Sequence, residues 1–237
     1  MIKKSFLLAF FALAISTLTA QTGLHIGAQF GYNGIFILNQ NAYTHSEMDY
    51  EITTGIMGGL VVGYNGSDNL GLQLEFNYAQ AGQTYQDQLT FFGSPFADVK
   101  KEVKLSYWQI PILFKYTAPG NTARANIVFG PQIGILNGAE INYFLDGSSV
   151  NYETYPGPAY PSLSGPKDFF NKIDVGIALG IGVDIFVLEN LYLSPGLRIY
   201  GGITDINSEE TRDNNDYTAS RNGAIGLNVG VHFLFGN

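Results

Sequence analysis

The stretch Ile225-Gly-Leu-Asn-Val-Gly-Val-His-Phe-Leu-Phe235 decides the fold. Every second residue from Ile225 (Leu227, Val229, Val231, Phe233 and Phe235) is large and apolar. The residues between them are Gly226, Asn228, Gly230, His232 and Leu234, mostly small or polar. A helix would scatter the apolar set around its circumference, whereas a strand gathers it on one face. The sequence stops almost immediately afterwards, as expected when the last strand of a closed membrane barrel ends the chain.

Seven upstream segments repeat this alternation. They are Leu24–Tyr32, Ile52–Tyr64, Leu70–Ala81, Val103–Thr117, Ala123–Ile135, Ile173–Phe186 and Leu191–Gly201. Each meets the ~9–11 residues that a tilted membrane strand requires. In the third, Leu70, Leu72, Leu74, Phe76 and Tyr78 share one face, and Gln73, Glu75 and Asn77 share the other. In the fourth, the apolar positions change from odd (Val103, Leu105, Tyr107) to even (Ile110, Ile112, Phe114, Tyr116). One extra residue near Tyr107-Trp108, a β-bulge, would produce that change with the apolar set outward throughout.

Short turns at Asn65–Asn69, Ala118–Thr122 and Leu188–Asn190 alternate with longer polar stretches near 39–51, 82–101, 137–171 and 203–222. Short turns on one side and long loops on the other are the pattern of bacterial outer-membrane barrels. The expected fold is an all-β, eight-stranded, antiparallel, up-and-down transmembrane barrel spanning residues 21–237 as one domain. An even strand count would put both termini in the periplasm and the long loops outside the cell. Such a barrel must close, because an open edge in lipid leaves backbone groups unpaired at several kcal/mol each. Rings at Phe30, Tyr32, Phe76, Tyr78, Tyr107 and Trp108 would form one aromatic girdle. Tyr64, Phe114, Tyr116, Phe186, Phe233 and Phe235 would form the other. A secreted soluble sandwich or lipocalin-like barrel would instead carry charge on the alternate positions, which here are Gly, Gln, Asn and Ser with few charges.

The N-terminus points to the same compartment. Lys3 and Lys4 precede an apolar run from Phe6 to Ile15, then Ser16-Thr-Leu-Thr-Ala20, which reads as a secretory signal cleaved after Ala20. No other segment offers the ~18 continuous apolar residues of a spanning helix. The chain has no Cys, so thiol catalysis and thiolate metal binding are excluded. Loss of Lys3 and Lys4 with the signal leaves 10 basic residues against 20 acidic ones, which argues against nucleic acid as a partner.

The segment Tyr107-Trp-Gln-Ile-Pro-Ile-Leu-Phe-Lys-Tyr116 resembles a strand of Bacteroidetes outer-membrane barrel proteins of the PorT-like family. Phe129-Gly-Pro-Gln-Ile-Gly134, Asp174-Val-Gly-Ile-Ala-Leu-Gly-Ile-Gly-Val-Asp184 and Arg198-Ile-Tyr-Gly-Gly-Ile-Thr-Asp-Ile206 are similar to it as well, as is the Ala20-Gln21 junction. The resemblance implies an outer-membrane barrel of about eight strands. For the founding member it also implies an association with protein export through a gliding-linked secretion system. It supplies no catalytic residues.

By parity Glu75, Lys115, Asp174, Asp184 and Arg198 face the lumen. Eight strands enclose a bore just wide enough to be filled by side chains, so these charges are expected to pair into a plug rather than line an open path. His25 and His232 also face inward, on strands that must be neighbours. With no third ligand placed by spacing, hydrogen bonding is favoured over a metal site, and no metal or cofactor is expected. His45-Ser46-Glu47 with Asp49 could suggest an outer-membrane lipid hydrolase, but adjacent residues point in different directions and do not make a triad. Tyr143, Tyr152, Tyr155 and Tyr160, among Pro156, Pro158, Pro161 and Pro166, could contact a sugar or a partner protein, or equally pack over the top of the barrel. Asp205, Glu209, Glu210, Asp213 and Asp216 read as a solvated acidic loop without ordered calcium-ligand spacing. The expected role is structural or interactive without catalysis, with a narrow small-solute channel as the alternative. The expected partners are outer-membrane lipid and lipopolysaccharide, the barrel-assembly machinery, and a secretion-system or surface protein.

Overall fold

The computed structural model describes residues 22–38, 49–91, 94–150, 165–212 and 217–235, without the side chains of 89–91 and 94–96. The signal sequence, His45-Ser46-Glu47 and the stretch 151–164 lie outside the described residues. Among the described residues ten strands form the fold: β1 (Gly23–Leu38), β2 (Asp49–Glu51), β3 (Thr53–Asn65), β4 (Leu70–Phe91), β5 (Ser94–Thr117), β6 (Ala123–Leu145), β7 (Ser148–Val150), β8 (Ile173–Leu188), β9 (Leu191–Gly202) and β10 (Arg221–Phe235). All pairings are antiparallel, and eight long strands run in a ring β1-β3-β4-β5-β6-β8-β9-β10. β10 returns to β1 along an unbroken register from Leu24 opposite Phe235 to Leu38 opposite Arg221, so the sheet has no free edge at the seam. β2 and β7 lengthen the wall at the end opposite the chain termini, by pairing with β4 and β6.

The exterior is apolar. Leu24, Ile26, Phe30, Leu60, Val62, Leu72, Leu74, Ile181, Leu227 and Val229 all point outward. The interior is polar over most of the length, with Gln29, Gln73, Glu75, Asn77, Lys115, Asn126, Asp174 and Asp184 buried. This inversion of a soluble protein suits a chain surrounded by hydrocarbon, which solvates apolar side chains and must not meet unpaired polar groups.

Several strands run longer than the alternation alone predicts. The stretches expected as loops at 82–101 and after 137 are largely strand, because β4, β5 and β6 continue as tall hairpins past the apolar belt. The expected change of face in β5 does not occur. Val99, Val103, Leu105, Tyr107, Pro111, Leu113, Lys115 and Thr117 are all buried, so odd positions face inward along the whole strand. Val103, Leu105 and Tyr107 look misphased because the interior itself changes character there. They join Ile37, Tyr85, Leu136, Phe170 and Ile206 in an apolar cluster inside the tall end.

A bulge does lie beside Tyr107, but on the neighbouring strand. Ser106 pairs with Gly138 and Tyr107 with Leu136, which leaves Asn137 of β6 as the extra residue. Buried positions in β6 accordingly pass from even numbers up to Leu136 to odd Tyr143. Phe186, expected in a girdle, sits on an inward-phase position, its ring 5.1 Å from that of Tyr192.

Gly82 marks the start of the tall hairpin. Its φ is +134°, and a Cβ there would lie 2.0 Å from the Val103 carbonyl oxygen. Gly82→Ala is expected to destabilise the barrel by at least about 1 kcal/mol through backbone strain. Gly201→Ala, where a Cβ meets nothing within 4 Å, serves as the control. Urea unfolding from lipid vesicles checks this, and equal midpoints for the two variants would contradict it.

Candidate functional site: the charged lumen

The inward positions of β9 order the lumen into layers. Running away from the short-turn end, Tyr192, Ser194, Arg198 and Tyr200 each belong to a different cluster. Beside Tyr192 lie both histidines. The His232 ring stacks on Tyr192 at 4.8 Å between centroids and 6° between planes. His25 meets both rings edge-on, 5.6 Å from His232 and 6.1 Å from Tyr192. Glycines make room for the imidazoles, since a Cβ at Gly63 would fall 2.3 Å from His25, and one at Gly230 2.4 Å from His232. The two histidines do come together across the β1–β10 seam, but among the described residues no three His or carboxylate groups are close enough to hold a metal ion.

The second layer centres on Asp184. Its carboxylate meets Lys115 Nζ at 2.7 Å and accepts hydrogen bonds from Asn126 Nδ2 and Ser194 Oγ, both at 2.7 Å. Both ends of the ion pair are only 4% exposed, and Lys115 Nζ also lies 5.1 Å from the centre of the Tyr192 ring. In the third layer Arg198 grips Glu75 with two parallel bonds, Nη1 to Oε2 at 2.5 Å and Nη2 to Oε1 at 2.8 Å. Gln29, Gln73 and Asn77 each donate a side-chain amide to the same carboxylate at 2.6–2.8 Å. Five donors on one buried carboxylate offset much of what removing it from water costs.

Asp174 forms the fourth layer, without a cation among the described residues. It accepts from Tyr200 Oη at 3.0 Å, Asn222 Nδ2 at 2.9 Å and Thr204 Oγ1 at 3.1 Å. Asn222 also reaches Tyr107 Oη at 3.2 Å, the first residue of the apolar cluster beyond. A cavity of about 30 Å³ lies in the lumen beside Lys115 and Arg198, lined also by Gln29, Gln73 and Asn126.

The remaining predicted residues fall as follows. Tyr64, Tyr78, Trp108, Tyr116, Phe233 and Phe235 are all exposed on the outer face. Trp108 stacks on Phe76 at 5.0 Å and meets Tyr78 edge-on at 5.3 Å. Asp205 is not a solvated loop carboxylate. It accepts from Tyr217 Oη at 2.6 Å and from the Asn207 and Ser220 backbone N–H groups at 3.1 Å, and it pairs with Arg212 at 3.1 Å. Burial, aided by that bond to Asp205, pushes the Tyr217 phenol up to about 12. Tyr192, Asn126, Ser194 and Asn222 are lumen residues that the sequence reading left unremarked, although Tyr192 and Ser194 share the face of Arg198 and Tyr200.

Residues 19–208 match the model of a family described as outer membrane protein beta-barrel domain. The chain belongs to this family of bacterial outer-membrane barrels. The closing strand β10 lies beyond the matched segment and completes the ring. Among solved structures it is similar to Neisserial surface protein A, with 15% identity over 90% of this chain and 97% of that one and a TM-score of 0.45. It is also similar to OprG from Pseudomonas aeruginosa, with 13% identity over 91% and 100% and a TM-score of 0.41. The third is outer membrane protein W of E. coli, with 11% identity over 92% and 100% and a TM-score of 0.39. No curated protein matches it by sequence.

Glu75→Ala leaves the Arg198 guanidinium in the lumen without its carboxylate and is expected to cost about 3–5 kcal/mol. Adding Arg198→Met should recover a substantial part of that loss, because an apolar replacement of a whole buried pair is far less damaging than removal of one partner. Urea unfolding of the single and double variants tests the coupling. Additive losses would show that the pair does not hold the lumen together.

Proposed function

We propose that this outer-membrane barrel is a closed, PorT-like structural and interaction protein, without catalysis, that acts through partners rather than by conducting solutes along its axis. The observation that carries this reading is the filled lumen. Two buried ion pairs, Lys115–Asp184 and Glu75–Arg198, cross the bore with a cavity of about 30 Å³ beside them, and an apolar cluster lies beyond. An ion on the axis would have to break these pairs in a low-dielectric interior, where separating one costs several kcal/mol.

In this reading residues 1–20 are a cleaved secretory signal. The short turns and both termini face the periplasm, and the tall β4–β5–β6 hairpins stand outside the cell. Tyr64, Tyr116, Phe233 and Phe235 make one aromatic girdle, and Tyr78 and Trp108 belong to the other. The tall hairpins are the natural docking surface for a secretion-system or surface protein, and the outer belt meets lipid and lipopolysaccharide. The resemblance of Tyr107–Tyr116 to the PorT-like strand supports a link to protein export.

Purified protein in planar lipid bilayers is expected to show no large stable conductance, and steady nanosiemens-scale channels would overturn the closed-lumen reading. The aromatic end of β10 is the segment that the barrel-assembly machinery would receive. Phe233→Ser combined with Phe235→Ser should therefore reduce the heat-modifiable, folded form in the outer membrane. A normal yield of that form would remove this role.

A further inference from the structure

Among the described residues the wall is interrupted between β3 and β4. The ladder between β3 and β4 ends where Met57 faces Ala79. Beyond that point β3 continues to Thr53, still paired with β1, and β4 continues to Phe91, still paired with β5. β2 takes up pairing with β4 only at Thr84. Across the interval side chains stand in for the missing backbone partners. The Ile56 N–H donates to Gln80 Oε1 at 3.0 Å, and the Thr84 N–H donates to Thr53 Oγ1 at 2.8 Å. Gln83 Nε2 reaches the Glu51 carbonyl at 2.7 Å. Unpaired backbone in a membrane wall is costly, so a break satisfied by dedicated side chains is a built feature rather than a fault.

A cavity of about 340 Å³ lies at this break. Its lining takes inward residues Ile35, Ala81 and Leu105 together with outward residues Tyr78 and Gln80, so it passes from one face of the wall to the other. Its inner end meets the apolar cluster through Leu105 and Val103. Its outer end opens at the height of the Phe76–Trp108–Tyr78 aromatic group, beside exposed Ile56. The volume lies in the range of small-molecule sites, which are apolar with a few placed polar groups. Here Ile35, Val103 and Leu105 supply the apolar part, and Gln80, Thr53, Thr84, Ser106, Lys104 and Glu140 supply the polar groups.

We propose that this gap is a lateral binding site for one acyl chain of an outer-leaflet lipid. The methylenes pass between β3 and β4 toward Leu105 and Ile35, and the headgroup stays at the Gln80–Thr53 rim. The position of the mouth selects this occupant. Tyr78 sets its lower edge at the aromatic level, where the apolar belt meets the headgroup region, and Gln80, Lys104 and Glu140 on the outer lining offer polar and charged partners to a headgroup. The site is independent of the closed-lumen reading, because an acyl chain entering sideways needs no axial path. A conductance result and a labelling result can therefore fail separately.

The chain has no Cys, so one engineered disulfide is unambiguous. Thr53→Cys with Thr84→Cys places a removable staple across the mouth. The mature protein is reconstituted into phosphatidylcholine vesicles containing palmitate with a terminal diazirine, photolysed, and mapped by peptide mass spectrometry. The expected result is adducts on Ala81, Val103 or Leu105 in wild type. These should be lost in the oxidised double variant and restored by dithiothreitol, while adducts on the outer belt at Leu72, Leu74 and Phe76 persist in all three samples. Adducts confined to the belt in wild type, or interior adducts indifferent to oxidation, would overturn the proposal. If the staple does not form, Ala81→Phe, shown folded by heat-modifiable migration, must remove the Leu105 adducts. Unchanged Leu105 adducts in that variant would overturn it equally.

Discussion

The seam between β1 and β10 is the constraint on which the rest of this structure depends. In hydrocarbon every backbone N–H and C=O must find a partner within the protein, and a sheet can manage that only by closing on itself. Fifteen paired positions, from Leu24 opposite Phe235 to Leu38 opposite Arg221, make that closure. Once the ring is shut, one face of each strand belongs to lipid and the other to a bore too narrow for bulk water. The outward set is therefore apolar throughout the belt. The inward set must satisfy itself side chain by side chain.

That second requirement explains the layered lumen. Lys115 with Asp184, Arg198 with Glu75, and Asp174 with Tyr200 and Asn222 are three local solutions to one problem, the burial of polar groups with their partners, while Tyr192 and the histidines pack ring on ring. Toward the tall hairpins the solution changes. There the strands leave the apolar belt, Val103, Leu105 and Tyr107 turn the interior apolar, and the Asn137 bulge re-aims β6 so that its tall part also faces inward with the right residues. The β3–β4 interval interrupts the pairing. It is bridged by Gln80 and Thr53, residues whose side chains can act as surrogate backbone acceptors.

Much of the architecture was legible in the residues because strand parity is strictly two. The exposure of Leu72 and Phe76 and the burial of Gln73 and Glu75 follow from alternation alone, as does the meeting of His25 with His232 once closure is required. Parity does not say which medium each face meets. Val103, Leu105 and Tyr107 carry the same apolar signature whether they face lipid or an apolar core, which is why their phase change suggested a bulge in β5. The true extra residue, Asn137, sits on the partner strand, and only the register reveals it. The choice of partners was also out of reach. Arg198 and Glu75 are 123 positions apart, and the ring order alone leaves Arg198 free to meet any inward carboxylate at its height. The tall hairpins were hidden by polar residues such as Gln86 and Lys100, which stand opposite each other on the β4–β5 wall.

Amide hydrogen exchange of the folded protein in lipid nanodiscs tests the closed ring most directly. If β1 and β10 close the barrel, the amides of Gly27–Tyr32 and Leu227–Val231 should exchange as slowly as those of the β8–β9 pair at Ala178–Gly182. Fast exchange along the seam, with slow exchange elsewhere in the belt, would show an open edge and contradict the account.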